Sequence, residues 1–272
     1  MRNDENHART RHDSRKSSFQ DGFTLIEIAI VLLVVTILLG YSVAMFPKQQ
    51  ELKQYRAVEA EMESIIDHLI AFAQVNGRLP CPDTSAGAGV IDGAEDQNGV
   101  NDCEASFGFL PARTLGMNGR FNNAGVLEDA WGQGYGYAIS EINVDVSGVN
   151  VDIDLVTANG IRDEGMAAVA PALDLFICDD SAVLGVDADC TAAGANSNDV
   201  VSNVAAVIIS LGKDNTIPAT SNIQAENLDD FHDGANDKVY VFSPRRDDYD
   251  DVVKWIPASL LFSKMIEAEQ LP

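Results

Sequence analysis

The side chains of this chain that could carry out chemistry are mainly carboxylates. Its 272 residues include 42 Asp and Glu but only 18 Lys and Arg, which gives a formal net charge of −24. The sequence has no Gly-x-Ser-x-Gly, no phosphate-binding glycine loop and no His-Glu-x-x-His. We therefore predict that the protein is not an enzyme. We also expect no binding to nucleic acid, because attraction to phosphates needs basic side chains.

The carboxylate of Glu27 is unusual because it is the only charge in an apolar run of 24 residues from Phe23 to Phe46. A helix of this length is about 36 Å long, which exceeds the ~30 Å hydrocarbon core of a bilayer. The run therefore predicts a transmembrane helix with one acid near its start. A charge inside such a helix is unfavourable unless it pairs with a cation. Glu27 could instead lie near the membrane interface and extend its carboxylate into water.

The segment Gly22-Phe23-Thr24-Leu25-Ile26-Glu27, followed by the apolar run, resembles the processing site of type IV prepilins and type II secretion pseudopilins. The resemblance implies that a prepilin peptidase cuts between Gly22 and Phe23, and that Phe23 becomes the N-methylated first residue. It also implies that Glu27 of one subunit meets the Phe23 ammonium group of a neighbour during assembly. An uncleaved signal anchor is the simpler interpretation of the same run.

The domain organisation follows from this processing site. We expect residues 1–22 to form a cytoplasmic leader that the peptidase removes, residues 23–46 a transmembrane helix, and residues 47–272 a periplasmic head. Basic residues in the leader favour a cytoplasmic N-terminus. The chain would lie in the bacterial inner membrane as a single-pass protein and enter a filament after assembly.

Apolar residues after Lys48 recur at steps of three and four, which is typical of an amphipathic helix. They are Leu52, Tyr55, Val58, Met62, Ile65, Ile66, Leu69, Phe72 and Ala73. We therefore predict one long helix from Phe23 to Asn76 that stops at Gly77.

The expected fold class is α+β. The long N-terminal helix would be transmembrane in its first half and amphipathic in its second, and would pack on an antiparallel β-sheet head with a short C-terminal helix at Ala258–Leu271. The segment Asp129-Ala130-Trp131-Gly132 resembles the one that leads into the first strand of pseudopilin-like heads. Further strands are predicted at Val149–Thr157, Leu173–Cys178, Val204–Leu211, Lys238–Phe242 and Val252–Ile256.

All four cysteines follow the apolar run, as two local pairs. An even number of cysteines on the exported side of a membrane favours disulfides over metal binding. We predict that Cys81 pairs with Cys103 and that Cys178 pairs with Cys190.

Oxygen-bearing side chains alternate around Gly99 in the loop between the first two cysteines. Asp96, Asn98 and Asp102 resemble part of a calcium-binding loop, although no Glu stands where a complete EF-hand needs one. Calcium is therefore a candidate cofactor at these three residues. The alternative is a solvated acidic loop closed by the Cys81–Cys103 disulfide.

These features together predict a pilin-like, minor structural subunit of a type IV pilus or type II secretion pseudopilus. Its expected partners are other pilin or pseudopilin subunits, a prepilin peptidase, an inner-membrane assembly platform and membrane lipid. Two alternatives stay open. A membrane-anchored periplasmic enzyme could use a pair of the many carboxylates, and a filament-tip adhesin would be compatible with the large head.

Overall fold

The computed structural model describes residues 22–98, 102–140, 143–145, 150–152, 155–179, 199–213, 227, 238–246 and 249–271. It describes the backbone alone at residues 40–47, 143–145, 150–152, 164, 168, 172 and 199. The chain divides into two compact units, the first ending at Gln50 and the second beginning at Glu51.

Helix α1 spans Leu25–Asn76. At its start, the hydroxyl of Thr24 accepts a hydrogen bond of 3.3 Å from the backbone N–H of Glu27, which satisfies one of the free donors of the first turn. The helix ends because Gly77 adopts a left-handed conformation with φ 67°, which glycine tolerates best. The predicted stop at Gly77 is confirmed.

The predicted transmembrane first half of the helix is wrong. Within the described residues, no helix combines the length and the apolar character needed to cross a membrane. The described apolar side chains at the start of the chain extend from Phe23 to Leu39, and charged residues enter α1 from Lys48 onward.

The second unit is built on a sheet of six strands, in the order β1-β4-β8-β7-β9, with β10 pairing with β8 as well. Their bounds are β1 Phe107–Phe109, β4 Gly136–Ile139, β7 Leu175–Cys178, β8 Asp199–Ser210, β9 Val239–Val241 and β10 Val252–Pro257. Two small hairpins accompany the sheet. They consist of β2 Arg120–Phe121 with β3 Leu127–Glu128, and of β5 Asn143–Asp145 with β6 Asn150–Asp152.

The predicted antiparallel head is also wrong, because the sheet is mixed. Strand β7 pairs antiparallel with β8 on one side and parallel with β9 on the other, where Phe176 lies opposite Val239. Strands β7 and β9 therefore run in the same direction, opposite to that of β8. Parallel neighbours cannot be joined by a tight hairpin, and here the chain passes through β8 between β7 and β9.

Four of the five predicted strands are confirmed, as β7 to β10. Their bounds differ most for β8, which begins at Asp199 rather than Val204. The fifth prediction, Val149–Thr157, is only partly right, because β6 covers no more than Asn150–Asp152 of it.

The central strand β8 is fully buried from Val204 to Ile209, as expected for a strand covered on both faces. The predicted stripe of α1 contributes Val58, Met62, Ile65, Leu69 and Ala73 to the same core. Burying each of the larger side chains stabilises the fold by about 1.5–3 kcal/mol.

Three shorter helices complete the second unit within the described residues. They are α2 Gly160–Glu164, α3 Met166–Ala172 and α4 Ala258–Glu267. Helix α4 packs Leu261, Phe262 and Met265 into the core. It ends before the predicted Leu271, because Glu269 adopts a left-handed φ of 58° that terminates the helix.

Candidate functional site

The Gly22–Phe23 junction lies in an exposed segment directly before α1, and the Phe23 side chain is 76% exposed. Among the described residues, a Cβ atom added to Gly22 would meet nothing within 4 Å, and the φ angle of this glycine lies outside the left-handed range. The described part of the fold therefore does not require a glycine at position 22.

Glu27 lies in the first turn of α1. Its backbone N–H donates to the Thr24 hydroxyl, so Thr24-x-x-Glu27 supplies half of a capping box. A negative charge in this turn also interacts favourably with the positive end of the helix dipole. The sequence analysis missed the role of Thr24, although the Thr-x-x-Glu spacing is a readable signal for a helix start.

Every large apolar side chain from Phe23 to Leu39 is exposed. We call these side chains the N-terminal apolar surface, and they are Phe23, Leu25, Ile26, Ile28, Ile30, Val31, Leu32, Leu33, Val34, Val35, Ile37, Leu38 and Leu39. They point in all directions around the helix axis, since they occupy nearly every position. A helix that is apolar on all sides is normally surrounded by other apolar groups.

The predicted disulfide between Cys81 and Cys103 is present, with both cysteines buried and their Cα atoms 5.3 Å apart. A bidentate ion pair between Arg78 and Glu95, with N–O distances of 2.7 and 2.8 Å, also holds this loop in place. Cys178 is also disulfide-bonded, and its predicted partner Cys190 lies outside the described residues.

The predicted calcium residues are used by hydrogen bonds of their own loop. The Asp96 carboxylate accepts from the backbone N–H of Thr84 at 2.9 Å, and the Asp102 carboxylate accepts from that of Cys103 at 2.8 Å. Asn98 donates its backbone N–H to the carbonyl oxygen of Asp102. Within the described part of the chain, no group of three or more His, Cys, Asp or Glu could hold a metal ion. Calcium binding at these residues stays a prediction.

Asp83 is the most deeply buried acid of this loop, with no exposed surface. Its carboxylate accepts hydrogen bonds from the backbone N–H groups of Gly93 at 2.7 Å and Asp92 at 3.2 Å. Burial raises the pKa of Asp83 from 3.8 to about 6, because the charged form loses its contact with water. The two hydrogen bonds oppose this rise without cancelling it. Sequence reasoning did not single out Asp83.

The second unit contains an open groove of about 640 Å³, which we call the aromatic groove. It lies between one face of α1, the segment after β9 and the start of β10. Its lining residues are Leu52, Tyr55, Arg56, Glu59, Phe242, Ser243, Pro244, Arg245, Asp251, Val252, Val253, Lys254 and Trp255. No local sequence signal predicts this groove, because residues far apart in the chain form its two walls.

Aromatic contacts shape the floor of the aromatic groove. The guanidinium carbon of Arg245 lies 3.7 Å from the ring centroid of Tyr55, and Glu51 forms an ion pair with the same guanidinium group. Tyr55 in turn packs edge-on against Trp131, with ring centroids 4.6 Å apart. Burial raises the pKa of the Tyr55 hydroxyl, and the nearby Arg245 guanidinium group opposes this rise. Arg245 is therefore held in one orientation from two sides.

In comparisons with protein-family models, with curated proteins and with solved structures, none matched this chain.

Proposed function

We propose that the protein is a pilin-like structural subunit, a minor component of a type IV pilus or type II secretion pseudopilus. The observation that carries this proposal is the exposed Gly22–Phe23 junction, which stands directly before a helix whose apolar side chains are uncovered. In this role the chain performs no catalytic step. Its partners are other pilin-like subunits, a prepilin peptidase and an assembly platform.

The glycine at position 22 supports peptidase processing. The described residues leave open space around Gly22, and a peptidase site that accepts only a small residue would explain its lack of a side chain. Cleavage there would leave Phe23 as the first residue, with only Thr24 between it and the start of α1. The new ammonium group would then stand close to the first turn of the helix.

The N-terminal apolar surface supports assembly through this helix. In a filament, we expect the same surface of neighbouring subunits to cover it. Removing apolar area from water contributes about 25 cal/mol per Å², so the association would be strongly favourable. Among such helices, water would be excluded and the attraction between Glu27 of one subunit and the Phe23 ammonium group of another would strengthen.

The disulfide supports an exported position for the second unit. Disulfides persist in oxidising compartments such as the bacterial periplasm and are rare in the cytoplasm. A head that carries the Cys81–Cys103 bond fits a subunit whose head is exported before it joins the filament.

The deciding experiment is co-expression of the full chain with a prepilin peptidase, followed by intact-mass analysis. We expect loss of residues 1–22 and one added methyl group on Phe23. Gly22→Phe should block cleavage while the melting temperature of the protein stays unchanged, since the new side chain meets open space. A chain that keeps its leader beside a control prepilin that is cut would contradict the proposal.

A further inference from the structure

Strand β10 stands at an edge of the sheet. Among the described strands it pairs only with β8, so one side of it has no neighbouring strand. An unpaired strand edge is a template on which a strand of another chain can add. The register of β8 with its two neighbours shows which backbone groups of β10 point away from the sheet.

Backbone groups along β8 point alternately toward one neighbouring strand and toward the other. The carbonyl oxygen of Ala205 accepts from the N–H of Ser140, which follows β4, so the odd-numbered residues from Ala205 to Ile209 face β4. The even-numbered residues of this stretch face β10, where they lie opposite even-numbered residues. Val253 and Trp255 therefore direct their N–H and C=O groups away from the sheet.

These outward groups of Val253 and Trp255 have no hydrogen-bond partner within the described residues. Val253 is only 3% exposed, so its N–H and C=O groups also have little contact with water. Nearly all buried backbone groups of folded proteins are hydrogen-bonded. The edge of β10 therefore calls for a hydrogen-bonding partner from outside the described chain.

The aromatic groove follows this edge. Its lining includes two runs of consecutive residues, Asp251–Trp255 and Phe242–Arg245. A groove over one face of β10 would contact only alternate residues, because successive side chains point to opposite faces of a strand. One face of α1 and the Phe242–Arg245 segment stand beside the edge. A single extended chain can enter such a groove more readily than the edge of another folded sheet.

Charge does not select the occupant of the groove, because basic and acidic side chains offset each other. Arg245 forms an ion pair with Glu51, and the ammonium nitrogen of Lys254 stands 3.7 Å from Glu63. The other charged residues of the lining are Arg56, Glu59 and Asp251.

Exposed apolar side chains lie beside the edge. Leu52 is 48% exposed and Phe242 is 40% exposed, and Phe242 packs edge-on against Trp255 with ring centroids 5.6 Å apart. Side chains of an added strand alternate between its two faces, so every second one can contact this apolar surface.

We infer that the aromatic groove binds an extended segment of a partner protein, which adds to the edge of β10 as a further strand. Backbone groups of the segment pair with those of Val253 and Trp255, and apolar side chains at alternate positions contact Leu52 and Phe242. Strand addition of this kind takes its affinity from main-chain hydrogen bonds and its specificity from side-chain contacts. The contact goes beyond the proposed function, since it involves neither the leader nor the N-terminal apolar surface.

Fluorescence anisotropy with the purified full chain tests strand addition. The probes are labelled heptapeptides with Thr at odd positions and Val, Leu, Phe or Tyr at even positions. Each is also made with N-methyl groups at its odd positions or at its even positions. One set of N–H groups faces β10 and the other faces away. We expect one N-methylated form to bind at least about tenfold more weakly, and its isomer to bind within about twofold of the parent peptide.

Two substitutions at Trp255 test the protein side of the same bonds. Trp255→Pro removes the outward N–H, and Trp255→Ala removes the same ring but keeps the N–H. Proline is tolerated where the N–H of an edge strand points away from the sheet, so the two variants should have similar melting temperatures. Lys254→Pro should melt well below both, because it removes an N–H that faces β8. Trp255→Pro should bind the peptide at least about fivefold more weakly than Trp255→Ala.

Equal losses for the two N-methylated forms, or equal binding by Trp255→Pro and Trp255→Ala, would overturn the inference. So would the absence of binding by every unmethylated peptide at about 1 mM. Analytical ultracentrifugation separates a partner protein from a second copy of this chain. A monomer that binds the peptide supports the inference, whereas a dimer that the peptide dissociates would assign the edge to a second copy and overturn it.

Discussion

Asp129 and Ser210 are joined by a buried hydrogen bond of 2.6 Å, although 81 positions separate them in the chain. The other carboxylate oxygen of Asp129 accepts from the backbone N–H groups of Trp131 at 2.8 Å and Gln133 at 2.9 Å. One carboxylate thus ties the loop that leads into β4 to the end of the central strand β8. The hydrogen bond therefore fixes the loop that carries Trp131 against the central strand of the sheet.

The first prediction concerns this carboxylate. Asp129→Ala should lower the free energy of unfolding by about 3–5 kcal/mol, because it leaves one buried donor and two partly buried donors without their acceptor. Ser210→Ala is the matched control, since it removes one of the three bonds and should cost about 1–2 kcal/mol. Urea unfolding of the full chain measures both. Equal losses for the two variants would show that the bonds to Trp131 and Gln133 contribute nothing.

The second prediction concerns the Cys81–Cys103 disulfide, which closes a loop with a sequence separation of 22. Replacing both cysteines with Ala should reduce stability by about 2–4 kcal/mol, since the unfolded chain gains conformational freedom. The double variant is a sharper test than a reducing agent, because reduction would also break the bond that Cys178 makes. A loss well below this range would mean that the Arg78–Glu95 ion pair alone holds the loop.

The third prediction uses the pKa of Asp83. Its pKa of about 6 in the folded protein exceeds the usual 3.8, so the folded state binds the proton more tightly than the unfolded state does. The stability that this group contributes is fully present below pH 3.8 and is lost as the pH rises through about 6. The loss amounts to about 3 kcal/mol, since one unit of pKa corresponds to about 1.4 kcal/mol.

Asp83→Asn isolates this effect from the other acids. Between pH 4 and pH 7, wild-type stability should fall relative to that of the variant, as measured by urea unfolding at each pH. Asp92→Asn is the control, because Asp92 is an exposed acid of the same loop whose charge makes only a small contribution to the raised pKa of Asp83, and it should change the pH profile much less. A difference between wild type and Asp83→Asn that is constant with pH would show that Asp83 stays ionised throughout.

Local signals in the sequence account for the features that could be predicted. Gly77 marks the end of α1 because its left-handed conformation needs glycine, and a Cβ atom there would lie 2.9 Å from Asn159. The stripe from Val58 to Ala73 follows the helical repeat because one face of α1 must be buried. The Cys81–Cys103 pairing follows from their nearness in the chain.

The features that could not be predicted depend on contacts between distant residues. The parallel pairing of β7 and β9 is set by the edge at which the chain returns after β8, and no residue within β9 specifies that edge. The aromatic groove joins Tyr55 to Arg245, which are 190 positions apart. The raised pKa of Asp83 depends on the loop that buries it. The transmembrane prediction was wrong for a different reason. It was based on the length of the apolar run, whereas no helix within the described residues is both long and apolar enough to cross a membrane.

The fourth prediction concerns Glu27 and the proposed assembly. Glu27→Gln should be processed like the wild type and keep its melting temperature, because Glu27 is exposed and its hydrogen bond to Thr24 uses the backbone N–H. Its entry into filaments should fall at least about a hundredfold. The reason is that removing one partner of a buried ion pair leaves the other charge uncompensated, at a cost of about 3–5 kcal/mol.

Two further variants separate charge from helix capping. Glu27→Asp keeps the negative charge in the first turn and should restore part of the filament entry that Glu27→Gln loses. Thr24→Val removes the hydroxyl that caps α1 but leaves the carboxylate, and should weaken the helix start by about 1 kcal/mol. Counting each processed variant in sheared filaments gives the comparison. If Glu27→Gln enters filaments like the wild type while Thr24→Val does not, then Glu27 serves only the start of the helix, and the ammonium group of Phe23 must find another partner.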